Sequence, residues 1–161
     1  MKHYTYNSSH YMIQMTVPGV FTLLIGLYSM YKFLTGGFNF LWLLITFVCV
    51  YNVWNTFVSI SNPSEIIIDD DTLTFAAYKG SHVYETKKIE KFAMRPVAGG
   101  ERMYVMIDKG GIIRGRYWIS LAEFNDSKEL NDYFYRLDAR VNPDSVFTTA
   151  RKQGRERQKK V

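Results

Sequence analysis

The hydrophobic positions of the chain form two long blocks, which shorter alternating stretches follow. The blocks cover residues 13–34 and 38–60, and only Thr35-Gly36-Gly37 separates them. A helix needs about 20 apolar residues to cross the hydrocarbon core of a bilayer. The pattern therefore predicts two membrane-spanning helices in a tight hairpin over residues 13–61. A cleaved signal peptide is a less favoured interpretation of the first block, because a second span begins almost at once.

The pattern changes after Pro63. Residues 65–68 and 72–75 alternate or cluster β-branched residues around the turn formers Asp69-Asp70-Asp71, which predicts a β-hairpin. Further apolar stretches bounded by glycine pairs predict more strands. These strands cover residues 82–86, 89–97, 102–108 and 112–121.

The last patterned segment has a helical period. Five apolar residues recur at spacings of three and four, which places them on one face of a helix over residues 126–141. They are Leu130, Tyr133, Phe134, Leu137 and Val141. Asp126 followed by Glu129 predicts a capping box at the start of this helix. The domain is thus predicted to be α+β.

Hydropathy, the predicted elements and charge together divide the chain into four parts. Residues 1–12 form an N-terminal segment, 13–61 the hairpin, 62–142 the soluble domain and 143–161 a basic tail. All acidic residues lie from Glu65 onward, and much of the net charge of +5 belongs to the final eleven residues. The domain itself is slightly acidic, which argues against a nucleic-acid partner.

Basic residues near the ends of spans tend to remain in the cytoplasm. Lys32 marks the hairpin turn, whereas Lys2 and the basic residues after the second span mark the other side. The expected location is therefore the cell membrane, in a multi-pass arrangement with both termini and the domain cytoplasmic.

The sequence offers little catalytic chemistry. A serine or cysteine nucleophile usually needs a histidine base, and the three histidines lie before the first block or beside a predicted turn. The common phosphate-binding, zinc and redox motifs are absent. Cys49, the only cysteine, lies within an apolar block. Three consecutive aspartates cannot all point at one calcium ion, so the turn preference of aspartate explains them. We therefore predict a protein that is not an enzyme, with no metal and no cofactor.

Two basic groups are candidates for contacts with an anionic lipid or a protein partner. The first comprises residues of the predicted sheet: Lys87, Lys88, Lys91, Arg114 and Arg116. The second lies in the tail, where basic residues beside an anionic leaflet gain affinity: Arg151, Lys152, Arg155, Arg157, Lys159 and Lys160. A solvated strand edge and a solubilising tail are the alternatives.

Asn52 and Asn55 are strongly polar residues within the second block. Their spacing of three puts them on one helix face, where amides can bond to a neighbouring helix. Packing within the hairpin is the favoured interpretation. Contact with another subunit is the alternative, since a protein partner or a homo-oligomer is also expected.

The chain resembles bacterial membrane proteins in which two N-terminal spans precede a PH-like domain. The resemblance rests on EIIIDDDTLTF, YETKKIEKFAM, GGIIRGRYWISLAEF and DSKELNDYFYRL. It implies a partly open antiparallel β-barrel capped by the C-terminal helix, and it brings no catalytic residue. PH domains that bind phosphoinositides carry basic residues around their first hairpin. The predicted first turn here is acidic, which argues against such binding at that place.

Three functions remain in view. The leading hypothesis is a membrane-anchored interaction or scaffolding protein without catalytic activity. The alternative is sensing of an anionic lipid or a small ligand at the inner leaflet by the domain and its tail. A small oligomeric transport or channel subunit is less favoured, because two spans form a pore only in an assembly.

Overall fold

A computed structural model describes residues 1–36, 39–97, 102–111 and 113–143. The helices are α1 (Ser8–Tyr11), α2 (Val17–Thr35), α3 (Phe40–Phe57) and α4 (Ser127–Val141). The strands are β1 (Lys2–Thr5), β2 (Glu65–Ile68), β3 (Thr72–Ala77), β4 (Gly80–Glu85), β5 (Phe92–Pro96), β6 (Arg102–Ile107) and β7 (Arg116–Ser120). Together they form a helical hairpin and an antiparallel-sheet domain.

The domain contains two antiparallel sheets, with strand orders β1-β2-β3-β4 and β5-β6-β7. The predicted strands are present, although β4 begins earlier and β7 later than the sequence indicated. β1 is an element that the sequence analysis missed. It pairs with β2 in the register Thr5 to Glu65, so the helical hairpin is inserted between two neighbouring strands. The acidic turn at residues 69–71 therefore joins β2 to β3 and does not close the first strand pair.

The two apolar blocks are helical, as predicted. The first forms a continuous helix over Ser8–Thr35 in which a π-helical segment, Met12–Thr16, connects α1 to α2. This segment ends two residues before Pro18, whose missing amide donor and ring disturb regular α-helix in the preceding turn. Both helices are long and apolar enough to cross a membrane. Only 11% and 6% of the residues in their most apolar stretches are buried, unlike those in the core helix of a soluble protein.

The α2–α3 interface is built on small residues. A Cβ atom added at Gly26 would lie 2.9 Å from the Cβ of Cys49, so the two backbones approach closely there. Ser29 is fully buried and donates a hydrogen bond of 2.7 Å to the carbonyl of Trp42. Close backbone approach and interhelical hydrogen bonds are typical of helices that pack within lipid.

The predicted apolar face of α4 packs on the sheets. Leu130, Phe134 and Leu137 are buried in one core with both sheets. The capping box is wrong in its chemistry: Asp126 is the N-cap residue, but its side chain makes no capping bond and its φ is +48°. Glu129 instead accepts a hydrogen bond from Lys2. The side chain reaches β1, which the sequence analysis did not recognise as a strand.

Gly26→Ala tests the close packing of the hairpin. Helix propensity alone predicts that alanine stabilises the helix by about 1 kcal/mol. Because the new methyl group would overlap Cys49, we expect instead a loss of roughly 1–3 kcal/mol, measured as thermal unfolding in mild detergent. The exchange variant Gly26→Ala/Cys49→Gly should recover part of that loss. Greater stability of Gly26→Ala alone would contradict the packing.

Candidate functional site

The hairpin and the domain meet through tightly fitted side chains. Ile60 is 4% exposed, and its Cδ1 lies 2.8 Å from where a Cβ of Gly80 would stand. The ring of Tyr78, in the β3–β4 turn, lies 5.3 Å from that of Phe57 and 5.8 Å from that of Tyr11, measured between centroids. The domain therefore rests directly on both helices of the hairpin. We call the end of the domain that carries Tyr78 and Gly80 the hairpin end.

The chain leaves α3 through a strained turn. Ile60 has a φ of +52°, a conformation that is a genuine outlier for a β-branched residue. The flanking hydroxyls of Ser59 and Ser61 hydrogen-bond each other at 2.6 Å, and the carbonyl of Ser61 accepts the amide of Trp118 at 2.7 Å. These bonds fix the turn against the outer edge of β7. Backbone strain held in this way is found most often at functional sites.

A pocket of about 230 Å³ lies beside this turn, between the end of α3 and the β6–β7 loop. We call it the junction pocket. The hairpin and its exit contribute Tyr51, Asn55, Ser59 and Ser61. The domain contributes Tyr104, Gly111, Ile113, Arg114, Arg116 and Trp118. The structure thus brings Asn55 together with Arg114 and Arg116, which the sequence analysis had assigned to a different group of candidates.

Both arginines of the junction pocket are oriented by uncharged groups. Arg114 donates to the carbonyl of Val83, and its guanidinium lies 4.5 Å from the centre of the Tyr84 ring. The Nε of Arg116 donates to the carbonyl of Gly110 at 2.8 Å. Within the described part of the chain, neither arginine has a carboxylate oxygen within 4 Å. Among the described residues, the two positive charges of the pocket are therefore not paired with a carboxylate.

A buried hydrogen-bonded chain lies behind Arg114. Tyr117 is fully buried, and its hydroxyl lies 2.9 Å from Nδ1 of His82 and 2.6 Å from the hydroxyl of Tyr84. These three side chains connect β4 to β7. Burial raises the pKa of Tyr117, and burial together with the charge of Arg114 lowers the pKa of His82. Both effects favour the neutral form of the imidazole.

Two other cavities differ in charge from the junction pocket. A groove of about 420 Å³ at the far end of the domain contains basic and acidic side chains, and Lys2 there is paired with Glu129. A wide cleft of about 840 Å³ beside α1 contains the carboxylates of Glu65 and Glu123. Neither cavity presents basic side chains alone. No cluster of metal-binding side chains occurs among the residues that the structure describes.

The remaining candidates of the sheet do not join the junction pocket. Lys87 lies 2.7 Å from Asp71, and Lys88 lies 2.8 Å from Glu85. Both therefore belong to the end of the domain that carries the β2–β3 turn. Lys91 immediately precedes β5, where its carbonyl accepts the amide of Asp108.

The two asparagines of α3 have different surroundings. Asn52 is exposed on the helix surface. Asn55 faces the junction pocket, and its side-chain oxygen lies 3.4 Å from the hydroxyl of Ser59. In the described part of the hairpin, neither side chain bonds to α2. The hairpin uses Ser29, Thr46 and glycine positions at that interface instead.

The basic tail candidates, from Arg151 to Lys160, lie outside the described residues.

Sequence reasoning missed Tyr51, Trp118 and the serine pair, which complete the pocket. Trp118 gave a usable signal: it stands in the stretch Arg116-Tyr117-Trp118-Ile119, where alternation places it on the opposite face from the buried Tyr117 and Ile119. An exposed tryptophan beside two arginines is a recognisable feature of an interaction surface.

Fold and pocket together define an α+β domain attached to a hairpin of two apolar helices, with a cationic pocket where they meet. Comparisons with protein-family models, with characterised proteins and with solved structures gave no match to this chain.

The lowered pKa of His82 makes the stability of the domain pH-dependent. Because its folded pKa lies below the unfolded value of 6.5, the unfolded chain takes up the proton first. The contribution of His82 to the free energy of unfolding is therefore present above pH 6.5 and is lost as the pH falls below that value. We expect the thermal unfolding temperature to decrease between pH 7.5 and 5.

His82→Gln should flatten this decrease, since glutamine can still bond to Tyr117 without gaining a proton. His3→Gln, which replaces an exposed histidine of β1, is the matched control and should retain the decrease. An unchanged slope in His82→Gln would show that another group is responsible.

Proposed function

We propose that the chain is a membrane-anchored interaction protein without catalytic activity, in which two spans hold a domain against the inner face of the cell membrane. The observation that carries this proposal is the contact between hairpin and domain at Ile60, Tyr78 and Trp118. A loosely tethered domain needs no such contacts. A domain that acts at the bilayer surface benefits from them, because they fix which of its faces meets the lipid.

We propose further that the domain is PH-like. Its two sheets of four and three antiparallel strands, followed by one amphipathic helix, support this assignment. In this interpretation, the hairpin occupies the connection between the first two strands. The β3–β4 turn and the β6–β7 loop then lie beside the membrane. The opposite end, with the β2–β3 turn and α4, is left for a protein partner.

Exposed side chains at the hairpin end support the contact with lipid. Tyr78, Ile113 and Trp118 are 46%, 59% and 44% exposed, although all three are large and apolar or amphipathic. Tyrosine and tryptophan are enriched where a protein meets the interface of a bilayer. The same surface carries Arg114 and Arg116. This combination of aromatic and basic groups fits an anionic membrane surface better than it fits water.

The orientation can be tested with a reporter enzyme that is active only outside the cytoplasm. Fused to Val161, it should give no activity, because the basic residues that follow the second span favour the cytoplasmic side. Fused within the hairpin turn after Thr35, the same reporter should be active. Strong activity from the fusion at Val161 would overturn the proposed topology.

The position of the domain can be tested with a polarity-sensitive fluorophore on single cysteines in a Cys49→Ala background. In lipid nanodiscs, a label at Ile113→Cys should report an apolar environment, because this residue lies beside α3 at the bilayer surface. A label at Lys88→Cys, at the opposite end, should report water. Equal, water-like emission from both positions would contradict the proposed function.

A further inference from the structure

We infer that the junction pocket binds the phosphate group of an anionic phospholipid from the leaflet that contacts the domain. This inference rests on the proposed function, since it requires the hairpin to span the membrane. It goes further by naming a ligand and a site. The site consists of Arg114 and Arg116 above, Asn55 and Tyr51 on α3, and Trp118 on β7.

The charge of the pocket suits a phosphate. Arginine offers several N–H donors in a planar fork that matches phosphate oxygens, and charge-assisted hydrogen bonds of this kind are stronger than neutral ones. Arg114 and Arg116 use only part of this capacity, on the carbonyls of Val83 and Gly110. Both side chains are exposed. Donors therefore remain for an anion that enters between the loop and α3.

The depth of the pocket points to a lipid. Tyr51 and Asn55 lie four residues apart on one face of α3, and Ser59 follows just after the helix ends. Tyr51 lies about 9 Å before the last residue of α3. A phosphate held by the arginines would thus have its glycerol and acyl chains beside α3. A soluble ion would not need a pocket wall that extends this far along α3.

The size of the pocket agrees with a head group. Ordinary small-molecule pockets measure about 300–1,000 Å³, whereas the junction pocket measures about 230 Å³. It can enclose a phosphate and its linkage, while the acyl chains stay outside in the bilayer. The strained turn at Ile60 supports the site, because it positions Ser59 and Ser61 at the pocket wall.

Native mass spectrometry of the full chain in detergent tests the inference. Phosphatidylglycerol should bind to the unaltered protein, whereas phosphatidylcholine, which carries no net charge, should bind much more weakly. Arg114→Gln/Arg116→Gln should weaken phosphatidylglycerol binding by roughly thirtyfold, since each basic group near an anionic surface contributes about five- to sixfold. Lys87→Gln/Lys88→Gln removes the same charge at the opposite end and should leave binding unchanged.

A second pair of variants separates loss of the site from loss of the fold. Arg114→Lys/Arg116→Lys keeps both charges but removes the planar forks, so its binding should lie between that of the unaltered chain and the Gln variant. Unfolding temperatures of all variants should be measured in the same detergent. If the Gln variant does not fold, Arg116→Gln alone provides the comparison, because it keeps the contact between Arg114 and the Tyr84 ring.

Several outcomes would overturn the inference. One is equal loss of phosphatidylglycerol binding in the arginine and lysine variants, which would indicate nonspecific charge attraction. Another is binding of glycerol 3-phosphate as tight as that of the lipid, which would make the ligand a soluble phosphate. The assay uses detergent and does not depend on membrane orientation. A water-like label at Ile113 would therefore refute the proposed function while lipid binding to the pocket could still be observed.

Discussion

The pairing of β1 with β2 is the constraint on which the rest of the structure depends. These strands are neighbours in an antiparallel sheet, yet residues 6–64 separate them in sequence. Because paired strands lie about 5 Å apart, both ends of the inserted hairpin must leave the sheet side by side. The domain is therefore attached to the hairpin twice, once through Asn7 and α1 and once through the turn after α3. A domain held at two points keeps one face toward the helices.

The double attachment strains the backbone where the hairpin joins the domain. Ile60 and Tyr78 have φ values of +52° and +54°, which side chains of these types seldom adopt. Packing offsets the backbone strain at both residues. Ile60 is buried beside Gly80, and Tyr78 contacts Phe57. The strain thus belongs to the same contacts that orient the domain. A sequence free to place the domain at the end of a flexible linker would not need to keep either residue in this conformation.

The sequence predicted the elements whose patterns are long and local. Two apolar blocks, the alternation around residues 65–75 and the period of α4 gave helices and strands that the structure contains. It did not predict β1, because Lys2–Thr5 is a strand of four residues whose partner lies beyond both helices. The capping prediction failed for the same reason. Glu129 bonds to Lys2, and no local pattern reveals a partner 127 residues away.

The sequence revealed only part of the candidate site, for a related reason. Composition identified the basic residues but could not tell Lys87 from Arg114, because the difference lies in what each faces. Lys87 is paired with Asp71, whereas Arg114 lies over an aromatic ring without a carboxylate within 4 Å among the described residues. A basic group left without an acidic partner loses little in water, where it stays hydrated. At the end of an apolar helix, the same basic group can bind an anion instead. This position is what distinguishes the junction pocket from the other basic groups of the domain.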